Sequence, residues 1–211
     1  KIEHIKAILK MPEVSERFRT AHGREWNQND VAIMYQSFEK HLFASLQDFT
    51  TPVPGVIETM EQLRREGIRI GSTTGYTDAM MKIVQPGAAA QGYTVDCLVT
   101  PDHLPAGRPA PYMIYRNMTE LAIPSVDEVV KVGDTIADIR EGLNAKVCSV
   151  GVITGSNELG LTEEEYKTMP EPELYTLKQE VRERMMAAGA HYVLDNIREL
   201  PDLVHNLMNK K

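Results

Sequence analysis

The sequence predicts an α/β fold in which a parallel sheet is covered by helices on both faces and preceded by an all-helical segment. Three observations predict it. Beyond residue 55, short apolar runs alternate with segments of helical periodicity. Those runs lack the polar alternation of a strand that keeps one face in water. Before residue 47, apolar residues recur only at helical spacings. The 211 residues are enough for one core domain and a small accessory one.

Taken in order, Ile5 and Leu9 and then, after an interruption near Gly23, Val31, Met34, Phe38 and Leu42 fall at helical spacings. Thr51-Pro52-Val53-Pro54-Gly55 is dense in turn residues, so a boundary just before it separates residues 1–47 from residues 48–211. A helix from Val56 to Arg65 then leads to a strand from Ile68 to Thr73, a helix from Asp78 and a short strand from Cys97 to Thr100. A helix from Pro111 to Leu121, a strand from Val129 to Val132, a helix from Ile136 to Asn144 and a strand from Val147 to Ile153 follow. The last third reads as helices around a short strand from His191 to Leu194. There Glu163-Glu164-Glu165 forms a solvated first turn that suits the helix dipole. Cys97 and Cys148 sit in apolar strand-like runs with no Cys-x-x-Cys neighbourhood, and read as small hydrophobes rather than metal or redox groups.

Composition excludes several function classes. With 42% hydrophobic and 25% charged residues the chain is neither disordered nor membrane-embedded in character, and its net charge of -7 argues against a nucleic-acid partner. No apolar run approaches the roughly 20 residues that cross a bilayer, and Lys1-Ile2-Glu3-His4 is unlike a signal peptide, so no membrane partner and a cytoplasmic location are expected. The chain opens without Met on an amphipathic helix, which leads to the expectation that a segment precedes it.

Chemistry in such a fold is sought beyond the carboxyl ends of the strands. In Val130-Lys131-Val132-Gly133-Asp134-Thr135-Ile136-Ala137-Asp138, one carboxylate follows a buried strand and a second lies one turn into the next helix. Two such carboxylates can approach one point and hold a hard cation such as Mg2+. The alternative is that Asp134 caps the helix while Asp138 faces solvent. Gly71-Ser72-Thr73-Thr74-Gly75-Tyr76 offers small residues and hydroxyls to a phosphate, or is an ordinary strand-to-helix turn. Pro105-Ala106-Gly107-Arg108-Pro109 presents one guanidinium from a stiff loop, suited to phosphate oxygens or to a surface turn.

Their order is more telling than any one of them. Thr74-Gly75, then Arg108, then Gly133-Asp134 with Asp138 resemble the second, third and fourth motifs of the haloacid dehalogenase superfamily. Arg108 in place of the usual Lys, together with Gly-Ser-Thr-Thr-Gly-Tyr and Gly155-Ser156-Asn157-Glu158-Leu159-Gly160-Leu161-Thr162, is similar to the phosphonoacetaldehyde hydrolase family along essentially the whole chain.

The resemblance implies a Rossmann-like parallel-sheet core of the haloacid dehalogenase type with a partial helical cap domain at 1–47. It implies a Mg2+-dependent hydrolase that cleaves the carbon–phosphorus bond of a small phosphonate aldehyde, in a homodimer associating through cap helices. Lys1 matches the lysine that forms a Schiff base with the aldehyde, and His4 the histidine that helps deprotonate it. Thr74 and Arg108 match the phosphoryl-binding groups, and Gly75 and Tyr76 substrate-binding positions where Tyr76 either orders the site or packs in the core. Asp134 matches a metal ligand, and Asp138 a group just outside the metal's ligands or one that orients its waters. The family's nucleophilic aspartate, in an Asp-x-Ala-Gly-Thr run on the first core strand, has no counterpart in residues 1–211. The 48–211 core is therefore expected to lack its first strand, and the chain alone to release no phosphate. Another phosphatase or mutase of the superfamily would need no imine-forming lysine, and a non-catalytic truncated chain is the second alternative.

Overall fold

In the computed structural model, which describes residues 2–209, the chain forms two compact units, Lys1–Thr50 and Thr51–Lys211. The first is helical: α1 (Ile2–Leu9), α2 (Pro12–His22), α3 (Gln28–Ser45) and a closing 3-10 turn at Leu46–Phe49. Helix α2 ends because Gly23 adopts the left-handed conformation at φ 68°, and its N–H returns to the Arg19 carbonyl. Leu9, Phe18 and Val31 form the buried centre, with Ile5, Val14, Trp26 and Met34 packed against it.

Helix α3 begins with a reciprocal box. The Asn27 side chain accepts from the Asn29 and Asp30 N–H groups, and Asp30 accepts from the Asn27 N–H at 2.8 Å. Arg24 clamps both oxygens of Asp30 at 2.7 Å, and this guanidinium is the main reason the Asp30 carboxyl is held down to about 2.

The second unit alternates as expected. It runs through α4 (Val56–Arg65), β1 (Gly71–Thr73), α5 (Asp78–Ala90), β2 (Cys97–Val99), α6 (Tyr112–Glu120), β3 (Val130–Gly133), α7 (Ile136–Ala145) and β4 (Cys148–Val152). It ends with α8 (Glu163–Thr168), α9 (Glu171–Ala187), β5 (Tyr192–Leu194) and α10 (Leu200–Met208). Every strand pairing is parallel. Helices cover both faces of β4. Val150 packs into a cluster with Leu63 of α4 and Leu200 and Val204 of α10. On the other side Ile139 of α7 packs with Val181 and Met185 of α9. A Cβ at Gly151 would lie 2.5 Å from Met185 Sδ, so only glycine lets α9 approach so closely.

Two expectations need correction. The strand predicted to start at Ile68 starts at Gly71, because the Asp96 carboxylate takes the Ile70 N–H at 2.6 Å and so replaces a ladder bond. The expected single sheet is also two, β1-β2 and β3-β4-β5. β1 and β3 share no ladder and are tied by side chains instead, Lys131 Nζ donating to Thr73 Oγ1 at 2.9 Å. Among the described residues no helix is long and apolar enough to cross a membrane.

The Arg24–Asp30 clamp predicts acid lability in the helical unit. A carboxylate depressed from 3.8 to about 2 adds stability above the unfolded value, which fades as pH falls from about 4 towards 2. Trp26, the sole tryptophan, packs in this unit and reports on it. Its fluorescence should show unfolding at lower denaturant as pH falls through that window, and Asp30→Asn should remove most of the dependence while lowering the neutral-pH midpoint.

Candidate active site

Three turns bring the polar groups to the carboxyl ends of the strands. Thr74 follows β1 directly, its N–H reaching the Val99 carbonyl at 3.3 Å, so the turn stays anchored to β2. The Thr74 hydroxyl oxygen accepts the Tyr76 N–H at 3.1 Å, which leaves its own hydrogen to donate. Gly75 is exposed at the tip of this turn, and Tyr76 is half-buried. A Cβ at Gly75 would come within 3.7 Å of Arg108 Nη2, which places the guanidinium beside the turn.

Arg108 is held from behind. Its Nη1 donates to Asp138 Oδ1, and Lys131 Nζ, from the middle of β3, meets the same oxygen at 2.9 Å. Asp138 Oδ2 accepts from the Thr135 N–H at 3.2 Å and the Thr135 hydroxyl at 2.6 Å. Thr135, not Asp134, is therefore the N-cap of α7, and Asp138, only 2% exposed, closes its capping box instead of facing solvent. Burial by itself would raise the Asp138 carboxyl; Lys131, Arg108 and Thr135 outweigh it and hold the group below the ordinary carboxylate range. Gly133 is required here, since a Cβ would lie 2.1 Å from Asp138 Cβ.

Asp134 has different partners. Its Oδ2 accepts the Asn157 N–H at 3.0 Å and the Asn157 side-chain amide at 2.8 Å, leaving Oδ1 without a hydrogen bond among the described residues. No group of three His, Cys, Asp or Glu converges among those residues. The Asp134 Oδ1 oxygen suits a hard divalent cation that keeps water and substrate oxygens as its other ligands.

Residues 5–146 match the family model described as haloacid dehalogenase-like hydrolase. A phosphonoacetaldehyde hydrolase of Parabacteroides distasonis is 69% identical over 210 residues, covering 100% of this chain and 80% of that protein. One from Bacteroides fragilis is 58% identical over 211 residues, again covering 100% and 80%. The chain belongs to the phosphonoacetaldehyde hydrolase family. A crystal structure of a phosphonoacetaldehyde hydrolase like protein from Oleispira antarctica superposes with a TM-score of 0.91 at 30% identity, covering 99% of this chain and 76% of that one.

Within this family member, Thr74, Gly75, Tyr76, Arg108 and Asp138 are brought to one neighbourhood. Asp134 sits one residue past β3 with a separate anchor. Lys1 and the side chain of His4 lie outside the described residues. Four residues that matter to the geometry were not singled out from the sequence: Thr73, Lys131, Glu141 and Asn157. A lysine inside an apolar strand was a usable signal for a buried partner. Asn157 carried none beyond its place in a stretch shared with the family.

Asn157 supplies both hydrogen bonds to Asp134, so Asn157→Ala should weaken divalent-cation binding by about 10–100-fold with little change in melting temperature. Calorimetric titration with the metal checks this; unchanged affinity would detach Asn157 from the metal's site.

Proposed function

We propose that this chain provides the core and part of the helical cap of an enzyme that hydrolyses phosphonoacetaldehyde to acetaldehyde and phosphate. The observation that carries the reading is Arg108, buttressed by buried Asp138, set beside the Thr74–Gly75 turn in a chain 69% identical to a protein of that name. Thr74 would donate its hydroxyl hydrogen to one phosphoryl oxygen and Arg108 its outer guanidinium hydrogens to others, a preorganised electrostatic arrangement of the kind phosphoryl transfer depends on. Tyr76 fixes the Thr74 oxygen through its backbone N–H. Asp134 Oδ1 would hold Mg2+, which when bound neutralises phosphoryl charge.

On the carbon side, the Lys1 amine, deprotonated with help from His4, condenses with the aldehyde and loses water. The protonated imine then accepts the electron pair of the carbon–phosphorus bond as phosphorus passes to a carboxylate, which the family pattern places ahead of Lys1. The resulting enamine takes up a proton and is hydrolysed to acetaldehyde, while water releases phosphate from the acyl phosphate.

In this reading residues 1–47 are the C-terminal part of the cap and 48–211 the core without its first strand. Two buried side-chain oxygens lack partners among the described residues, Asn117 Oδ1 and Glu141 Oε1. Both belong to residues bonded to β1, whose second edge has no ladder. That supports a further strand between β1 and β3. Exposed Ile8, Met11 and Ile33 on the helical unit support association of two copies.

The test is made on a chain carrying the family's first motif ahead of Lys1. Phosphate and acetaldehyde should appear in equal amounts, and borohydride added with substrate should inactivate the enzyme and label Lys1. Asp134→Asn should cut turnover by at least about 100-fold with the fold intact. Phosphate release from sugar phosphates without borohydride sensitivity would instead assign a phosphomonoesterase or mutase.

A further inference from the structure

Lys131 is the most enclosed cation described, its side chain 10% exposed, and all three of its ammonium hydrogens are used. It meets Asp138 Oδ1 at 2.9 Å, Glu141 Oε2 at 3.0 Å and Thr73 Oγ1 at 2.9 Å. The Thr73 hydroxyl in turn donates to Glu141 Oε2 at 3.0 Å. One ammonium thus joins β3, the start and middle of α7, and the residue immediately before the Thr74 turn.

The charge balance shows what this does. Arg108 and Lys131 face Asp138 and Glu141, two cations and two anions. Asp138 Oδ1 is shared between both cations, so Arg108 is not the sole counter-charge of a buried carboxylate. Its remaining donors stay available at Gly75. Without Lys131, Asp138 would draw on Arg108 alone, and Thr73 would lose its tie to β3 and keep only its own bond to Glu141 Oε2. Gly142 lets α7 lie close over β3 at this point, since a Cβ there would come within 3.1 Å of Lys131 Cβ.

We infer that Lys131 is a positioning residue for the phosphoryl site: by taking part of the Asp138 charge and tying Thr73 to β3, it keeps Arg108 and the Thr74 turn set for an anion. This rests on the reading of Thr74 and Arg108 as phosphoryl-binding groups. A purely structural buried ion pair predicts a different outcome, because removing both partners of such a pair is often neutral to stability whereas removing one is not.

The experiment uses inorganic phosphate titrated calorimetrically into the 211-residue chain with magnesium present, alongside thermal melts. Arg108→Ala should weaken phosphate binding by about tenfold or more. Lys131→Met should weaken it by a similar factor and lower the melting temperature. The double variant Lys131→Met/Glu141→Gln should recover the melting temperature, since no buried carboxylate is left without its cation, yet keep the weakened phosphate binding. This variant also keeps the test readable if Lys131→Met alone fails to fold. Phosphate affinity that ignores Arg108→Ala would sink the site reading and this inference with it. Affinity that depends on Arg108 but is unchanged in Lys131→Met, or restored in the double variant, would overturn the inference alone.

Discussion

A carboxylate removed from water costs several kcal/mol unless it is paired and hydrogen-bonded, and Asp138 is such a group at 2% exposure. Its satisfaction sets constraints on four separate parts of the second unit. Thr135 must cap α7, Gly133 must lack a side chain, Lys131 must point from β3 into the protein, and Arg108 must reach back from its loop. None of these is optional once the charge is buried, because each either supplies a bond to it or clears the space it occupies. The placement of Arg108 beside the Gly75 turn is in this sense a by-product of satisfying one buried anion. What reaches the Gly75 turn is the part of Arg108 that Asp138 does not use.

The same dependence explains how two sheets act as one scaffold. Among the described residues β1-β2 and β3-β4-β5 share no backbone ladder, and side chains join them: Lys131 of β3 to Thr73, and Thr73 to Glu141 of α7. Side-chain ties of this kind are individually worth about 1–3 kcal/mol where charge is involved, and one lysine takes part in those to Thr73, Asp138 and Glu141.

Much of this was legible from residue order, and the misses have physical causes. The alternation of apolar runs and helical periods located every strand of the second unit, with ends shifted by one to three residues. β1 began late because a side chain, Asp96, substituted for a strand partner, which no periodicity records. The spacing of Asp134 and Asp138 read either as two carboxylates near one cation or as a capping Asp134 with Asp138 in solvent, and the family resemblance implied that Asp138 orients the metal's waters. Thr135-x-x-Asp138 is also a capping-box pattern, and that local demand turned Asp138 away into the protein while Asn157 took Asp134. Asn157 lies 23 residues further on, and only the packing of the loop after β4 against the loop after β3 connects them. Lys131 was visible as a charge among valines, but a strand buried on both faces does not say which neighbouring helix carries the matching acid.

Capping alone does not make a site. The described residues contain four reciprocal capping boxes, Asn27/Asp30, Thr135/Asp138, Thr162/Glu165 and Asn196/Glu199, with closely similar local hydrogen bonding. At Glu165 the carboxylate is exposed and depressed mainly by its own box, so it ends there as a helix start. At Asp30 one bidentate arginine consumes the charge at both oxygens, leaving a closed neutral pair. Only at Asp138 do two cations share one oxygen, so that one of them, Arg108, keeps donors to spare beside a glycine turn. What sets this capping box apart is therefore the second cation, and it comes from Lys131 on a strand that the capping sequence does not include.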